Sequence, residues 1–154
     1  MVCFGENYSC QLGCAEMNVF EPKCVLQDTK IVKMVGGMQH TLVLRSDGTL
    51  LGSGINASGQ LALKKVKKVT NFTVIVKDEQ IKDIFCGATF SFILKSNGSS
   101  QSLFGFGSND RGELGIGTTR QSYVPVLIIK EEKIKQVRFF GLTLQTFTFF
   151  LMYF

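Results

Sequence analysis

Tryptophan is absent from this chain, histidine occurs once and proline twice. Each shortage excludes something. The single histidine, His40, has no second imidazole to share a proton with and no titratable partner beside it, so acid–base chemistry has no pair to run on. The five cysteines lack the paired C-x-x-C spacing of a structural zinc site; Cys10, Cys14 and Cys24 come nearest to one. No apolar run reaches the roughly 20 residues of a spanning helix. The C-terminal stretch from Leu142 to Phe154 is the nearest, and it is expected as a buried strand, with an unpaired, aggregation-prone end as the alternative. The glycine-rich stretches at 105–107 and 112–115 lack the Lys-Ser/Thr ending of a phosphate loop. No cofactor, metal or membrane span is therefore expected. Secretion is not expected either, because Met1 to Gly5 shows no charged and apolar leader. An odd, irregular cysteine set then implies reduced thiols in an intracellular compartment, cytoplasmic or nuclear. The sequons at Asn7, Asn56, Asn71 and Asn97 are expected to stay bare.

What the chain does have is phenylalanine (14), glycine (16) and a phrase repeated three times. The copies are Gly5-Glu6-Asn7-Tyr8-Ser9-Cys10-Gln11-Leu12-Gly13, Gly54-Ile55-Asn56-Ala57-Ser58-Gly59-Gln60-Leu61-Ala62 and Gly107-Ser108-Asn109-Asp110-Arg111-Gly112-Glu113-Leu114-Gly115. They recur at a period of about 50 residues, which marks a repeat architecture. The leading glycine and the small residue five positions on suit a tight turn with positive φ. The asparagine can hold that turn by bonding back to the backbone. The leucine drops an apolar side chain into the core.

Short apolar strands precede each phrase, at Val2–Phe4, Leu50–Ser53 and Leu103–Phe106. About ten polar residues follow, then apolar runs at Pro22–Leu26, Phe72–Val76 and Pro125–Ile129. Next come strands ending in glycine, Ile31–Gly37 and Ile81–Gly87, and partners at His40–Leu44 and Phe90–Leu94. Asp47-Gly48 and Asn97-Gly98 close them with strong hairpin signals. Phe90 stands where His40 stands, which points to packing for the histidine. Cys10, Cys14 and Cys86 fall at small or apolar repeat positions, as suits free cysteine. The third copy derails: Phe140 falls where glycine is expected, and no counterpart of His40-Thr41 or Phe90-Ser91 and no Asp-Gly turn follows. Each repeat thus holds about four short strands, the content of one propeller blade.

The combined pattern resembles the regulator of chromosome condensation repeat family. Its carriers are the phrases at Gly54–Ala62 and Gly107–Gly115, the strand Gly37–Leu44 and the Asp47-Gly48 turn, and the resemblance runs to about Val137. It implies an all-β, seven-bladed propeller. This chain holds about three repeats, near 2–50, 51–102 and 103–154, the last degenerate, in a single repeat domain over 1–154. The expected fold is an incomplete propeller of about three four-stranded blades in an open arc. Open edges invite strand addition, so self-association, a covering partner, or a fragment of a larger ring are the expectations. The derailed C-terminus favours a truncated gene model.

The resemblance also frames function. Family members are mostly interaction platforms, and the founding member is an exchange factor for the small GTPase Ran that also binds chromatin. The expectation is a non-catalytic module that binds a protein partner through blade loops. The alternative is a guanine-nucleotide exchange factor, or a fragment of one, for a Ran-like GTPase. Nucleic acid is neither demanded nor excluded by a net charge of +5. The structural signature comprises Gly5, Asn7, Leu12, Gly13, Gly37, His40, Asp47, Gly48, Gly54, Asn56, Gly59, Leu61, Gly87, Asn97, Gly98, Gly107, Asn109, Gly112, Leu114 and Gly115. The candidate partner-contact residues are Lys64, Lys65, Lys67 and Lys68, in the variable stretch after the second phrase. A solvated loop that discourages edge pairing is the competing explanation for them.

Overall fold

A computed structural model of the chain describes residues 1–131, 134, 136–140 and 148–152. Among them are twelve β-strands and no helix. Two complete antiparallel sheets form the centre. The first joins β3 (Ile31–Gly36), β4 (His40–Arg45), β5 (Thr49–Ile55) and β6 (Lys68–Lys77) in that order. The second joins β7 (Ile81–Cys86), β8 (Phe90–Ser96), β9 (Gln101–Gly107) and β10 (Ser122–Glu131). Each is a meander of consecutive strands, as a propeller blade requires. Two-stranded sheets flank them: β1 (Val2–Glu6) with β2 (Asn18–Cys24), and β11 (Gln136–Phe140) with β12 (Thr148–Met152). The arc therefore holds two whole blades and two halves. The sheets are cut at other points than the repeats, so each whole blade takes strands from two neighbouring repeats.

The strands follow from the sequence pattern. β4 and β5 are central, so most of their residues are buried, around the apolar centres Leu42–Leu44 and Leu50–Leu51. β3 lies at a sheet edge and alternates between half-buried and exposed. Hairpin chemistry joins them. Gly48 adopts φ +74°, and Asp47 Oδ1 accepts the Thr49 N–H at 3.0 Å. Asn97 Oδ1 does the same for the Ser99 and Ser100 N–H groups. Pro125 sits in outer strand β10, where a missing donor costs no ladder bond to a further strand.

The core lies between the sheets. Leu42, Leu44, Leu50 and Leu61 of the first blade meet Ile84, Ile93 and Phe106 of the second. Phe90, Phe92, Leu103 and Leu114 line the second blade's other face, where Ile134 joins them. Burying each such side chain stabilises the fold by about 1.5–3 kcal/mol.

One strand departs from the sequence reading. β2 starts at Asn18, ahead of the apolar run at Pro22–Leu26, because it follows β1 in register from Glu6 opposite Asn18. A strand lies in the apolar C-terminal stretch as expected, and the derailment at Phe140 does not prevent it from pairing. Val137 pairs with Leu151 as Ile84 pairs with Ile93, so β11 and β12 repeat the hairpin of β7 and β8. The rest of the apolar C-terminal stretch, 142–147 and 153–154, lies outside the described residues, as does Gly141.

Candidate interaction site

The connections from β5 to β6 and from β9 to β10 leave their blades at the same end, and the phrases occupy them. Each phrase is built by one asparagine. Asn56 Oδ1 accepts the Leu61 N–H at 2.8 Å, while Nδ2 donates to the Leu63 and Val66 carbonyls at 2.6 Å each. Asn109 bonds the Leu114 N–H at 2.8 Å and the Thr118 and Arg120 carbonyls at 2.8 and 3.0 Å. Asn7 bonds the Leu12 N–H at 2.8 Å and the Cys14 and Glu16 carbonyls at 2.9 and 2.6 Å. All three asparagines are fully buried. The backbone enters the left-handed region at Gly5, Gly54 and Gly107, again at Cys10, Gly59 and Gly112, and again at Gly13, Ala62 and Gly115. Cys10 and Ala62 adopt it despite their Cβ atoms.

The phrase also touches the next blade. Ser53 Oγ donates to the Cys10 carbonyl at 2.5 Å, and Ser91 Oγ to the Gln60 carbonyl at 2.8 Å. A Cβ on Gly59 would stand 2.5 Å from the Ser122 carbonyl oxygen, and one on Gly13 would overlap the Phe72 ring. Gly37 and Gly87 give way to the rings of His40 and Phe90 in the same manner. Sequence comparison of repeats finds equivalent residues, not neighbouring ones, so it missed Ser53, Ser91 and Gln60. A hydroxyl residue after His40 and after Phe90 was the one signal available. The ion pair of Lys33 with Asp83 and the bond from Met38 N–H to the Ala88 carbonyl were missed for the same reason.

His40 is fully buried, with Nε2 2.9 Å from Ser91 Oγ. Nδ1 meets no partner among the described residues. Burial holds its pKa down at about 4, so the ring is neutral and sealed from solvent. Burial likewise pushes the Cys86 thiol up to about 12 and raises those of Cys3 and Cys14. The Cys86 sulfur stays protonated and is a poor nucleophile. Among the described residues no group of three or more His, Cys, Asp or Glu side chains could hold a metal ion.

The lysines divide. Lys64, Lys65, Lys67 and Lys68 are all exposed at the blade end. Lys68, the first residue of β6, donates from Nζ to the Tyr8 carbonyl at 2.9 Å. Lys64, Lys65 and Lys67 belong to the loop that Asn56 clamps through Leu63 and Val66, and Lys65 adopts φ +62°. Their ammonium groups extend from a fixed backbone.

Family models described as the regulator of chromosome condensation (RCC1) repeat match residues 31–60, 81–113 and 101–139. The human X-linked retinitis pigmentosa GTPase regulator is 31% identical over 128 residues, covering 79% of this chain and 12% of that protein. The secretion-regulating guanine nucleotide exchange factor of Bos taurus is 35% identical over 88 residues, covering 56% of this chain and 18% of that protein. Among solved structures, Prp20p from Saccharomyces cerevisiae, described with its binding to Gsp1p and histones, aligns with a TM-score of 0.73 at 21% identity. That alignment covers 83% of this chain and 34% of Prp20p. The chain thus spans less than a fifth of the length of these two curated relatives.

Proposed function

Because this chain belongs to the regulator of chromosome condensation repeat family, we propose that it is a non-catalytic interaction module, acting as one repeat domain over residues 1–154 and binding a protein partner through its blade loops. The carrying observation is the Asn56-clamped loop with the exposed Lys64, Lys65 and Lys67. A loop already held by buried hydrogen bonds loses little entropy on binding. Three lysines without an internal acid partner among the described residues fit an acidic protein surface and would speed encounter at low salt. The compartment we assign is intracellular, cytoplasmic or nuclear.

The test is capture of partners on the immobilised chain against a variant carrying Lys64→Ser, Lys65→Ser and Lys67→Ser. Lys68 is left alone because it bonds Tyr8. Recovery of the captured protein should fall about tenfold or more with unchanged thermal stability, since three rim charges are removed and no buried bond is lost. Equal recovery from both proteins would retire the loop as a contact surface.

A second reading is favoured by one finding, the similarity to a protein named as a guanine nucleotide exchange factor. In that reading the same blade end stabilises a nucleotide-free, Ran-like GTPase. Release of labelled GDP from such a GTPase should then accelerate on adding the chain. An unchanged release rate at excess chain rejects it and leaves the first reading standing.

A further inference from the structure

β5 and β9 are each paired on both sides, by β4 and β6 and by β8 and β10. β1 is their counterpart, with Gly5 standing where Gly54 and Gly107 stand. Among the described residues it pairs with β2 alone. Its inner edge is unpaired among the described residues, and apolar side chains beside that edge are exposed. Met34 is 53% exposed, whereas its counterpart Ile84 is 0% exposed. Phe4 is 67% exposed, whereas its counterpart Phe106 is 0% exposed. Beside them opens an apolar cleft of about 160 Å³, lined by Met1, Cys3, Leu12, Met34 and Phe72 among others.

The whole blades show what belongs in that cleft. One blade further on, Leu50, Leu61 and Ile84 replace Met1, Leu12 and Met34, and the space between them is filled by Leu42 and Leu44 of β4. The chain carries a second strand of that kind in β12. Leu151 pairs with Val137 as Ile93 pairs with Ile84, so Phe150 and Met152 occupy the register positions of Leu42 and Leu44. Unlike β4 and β8, β12 has no outer neighbour among the described residues. One end of the chain is an outer half-blade, and the other is an inner half-blade.

We propose that β12 of one copy adds to the free edge of β1 in a second copy, joining two half-blades into one four-stranded blade. The second copy is the occupant because the two halves complement each other in strand type, in register and in apolar positions. In the joined sheet Phe150 lies opposite Cys3, as Leu42 lies opposite Gly52 and Phe92 opposite Gly105. Phe4 then meets the face lined by Phe90 and Phe92, just as Phe106 meets the first blade. The contact is head-to-tail, so copies either close on each other or continue as a chain. Backbone bonds along the edge give affinity, and the apolar positions set the register.

Sedimentation of the 154-residue chain over a range of concentrations tests this. The mass should rise reversibly from one copy to two or more. Phe4→Lys alters a side chain that is exposed in the single copy, so circular dichroism and melting of dilute protein should not change. It should weaken association at least about tenfold, because an ammonium would have to enter an apolar contact. Phe150→Cys, oxidised with glutathione disulfide, should give a cross-linked pair that disappears when Cys3→Ser is added. A one-copy mass at every concentration overturns the proposal. So does association that survives Phe4→Lys, or a cross-link that does not need Cys3.

Discussion

Replacing Asn56 by alanine removes three hydrogen bonds from a buried site. The Leu61 N–H loses its acceptor, and because Leu61 is fully buried no water replaces it. An unsatisfied buried donor costs about 1–3 kcal/mol. The Leu63 and Val66 carbonyls lose their donor, but they lie nearer the surface, and hydration limits each loss to about 0.5 kcal/mol. The sum is about 3 kcal/mol, a large share of the roughly 5–15 kcal/mol that holds a domain together. At this chain length it corresponds to a fall of about 6–12 °C in melting temperature. Calorimetry and urea unfolding would measure it. Asn56→Asp separates the acceptor from the donor. It keeps Oδ1 but sets a carboxylate against two carbonyl oxygens, so at neutral pH it should be at least as damaging as alanine. That carboxyl has a folded pKa raised above its unfolded value, so the variant's deficit should shrink as pH falls and grow as pH rises. Asn7→Ala should cost less, because Leu12 is only half buried and its N–H is within reach of water. A loss below about 1 kcal/mol for Asn56→Ala, or an Asn56→Asp protein as stable as the parent at neutral pH, refutes the view that this side chain builds the phrase.

Gly59→Ala and Gly112→Ala make the same change at equivalent positions, with φ +91° and +78°. Gly112→Ala should lose only the left-handed penalty of about 1–2 kcal/mol, whereas Gly59→Ala should lose clearly more, because its Cβ would meet the Ser122 carbonyl oxygen at 2.5 Å; equal losses by urea unfolding would contradict the inter-blade contact. His40 has a folded pKa of about 4, below its unfolded value, so the stability it contributes is present at neutral pH and drains away as pH falls from about 6.5 towards 4. Between pH 7 and 4.5 the loss should be about 2 kcal/mol, and His40→Phe, which copies Phe90, should abolish it; an unchanged acid profile in that variant would show that His40 is not the group responsible.

The parts of this fold legible in the sequence are those made by residues close together along it. Each asparagine reaches only from five to eleven positions ahead, and each positive-φ glycine answers to its own turn. The hairpin glycines Gly48 and Gly98 are legible for the same reason. Contacts between blades were not legible. Ser53 reaches back to Cys10 and Ser91 to Gln60 across dozens of residues, and an alignment of repeats carries no information about which copies touch. The hairpin of β11 and β12 was hidden by spacing. Seven residues, 141–147, separate these strands, whereas three, 87–89, separate β7 from β8. A motif search at constant spacing passes over that hairpin. The four lysines read as one run, but Lys68 is held by Tyr8 and only its three neighbours are candidates for a partner. A partner of the lysine loop, as proposed, would be chosen by a surface outside the chain, so neither the run nor its geometry spells it.

The phrases and the open half-blades are two views of one contact. Gly59 is pressed by Ser122 at the start of β10, and beside it Tyr123 donates its hydroxyl to the Ala57 carbonyl. The counterparts of Ser122 and Tyr123 in β2 are Val19 and Phe20, and Phe20 is 90% exposed. The counterpart of Gly59 in the last phrase is Gly112, with nothing within 4 Å of the place its Cβ would take among the described residues. So, among the described residues, the first outer strand meets no phrase and the last phrase meets no outer strand. If two copies join as proposed, Val19 and Phe20 of one settle over Gly112 of the other. Gly112→Ala then has two effects that separate by concentration. In dilute protein only the turn is strained. At concentrations where copies associate, the added methyl meets the second copy's β2 backbone, and association should weaken as Gly59→Ala weakens the packing of β10. Gly112→Ala that lowers stability yet leaves association untouched would place the junction elsewhere on the chain.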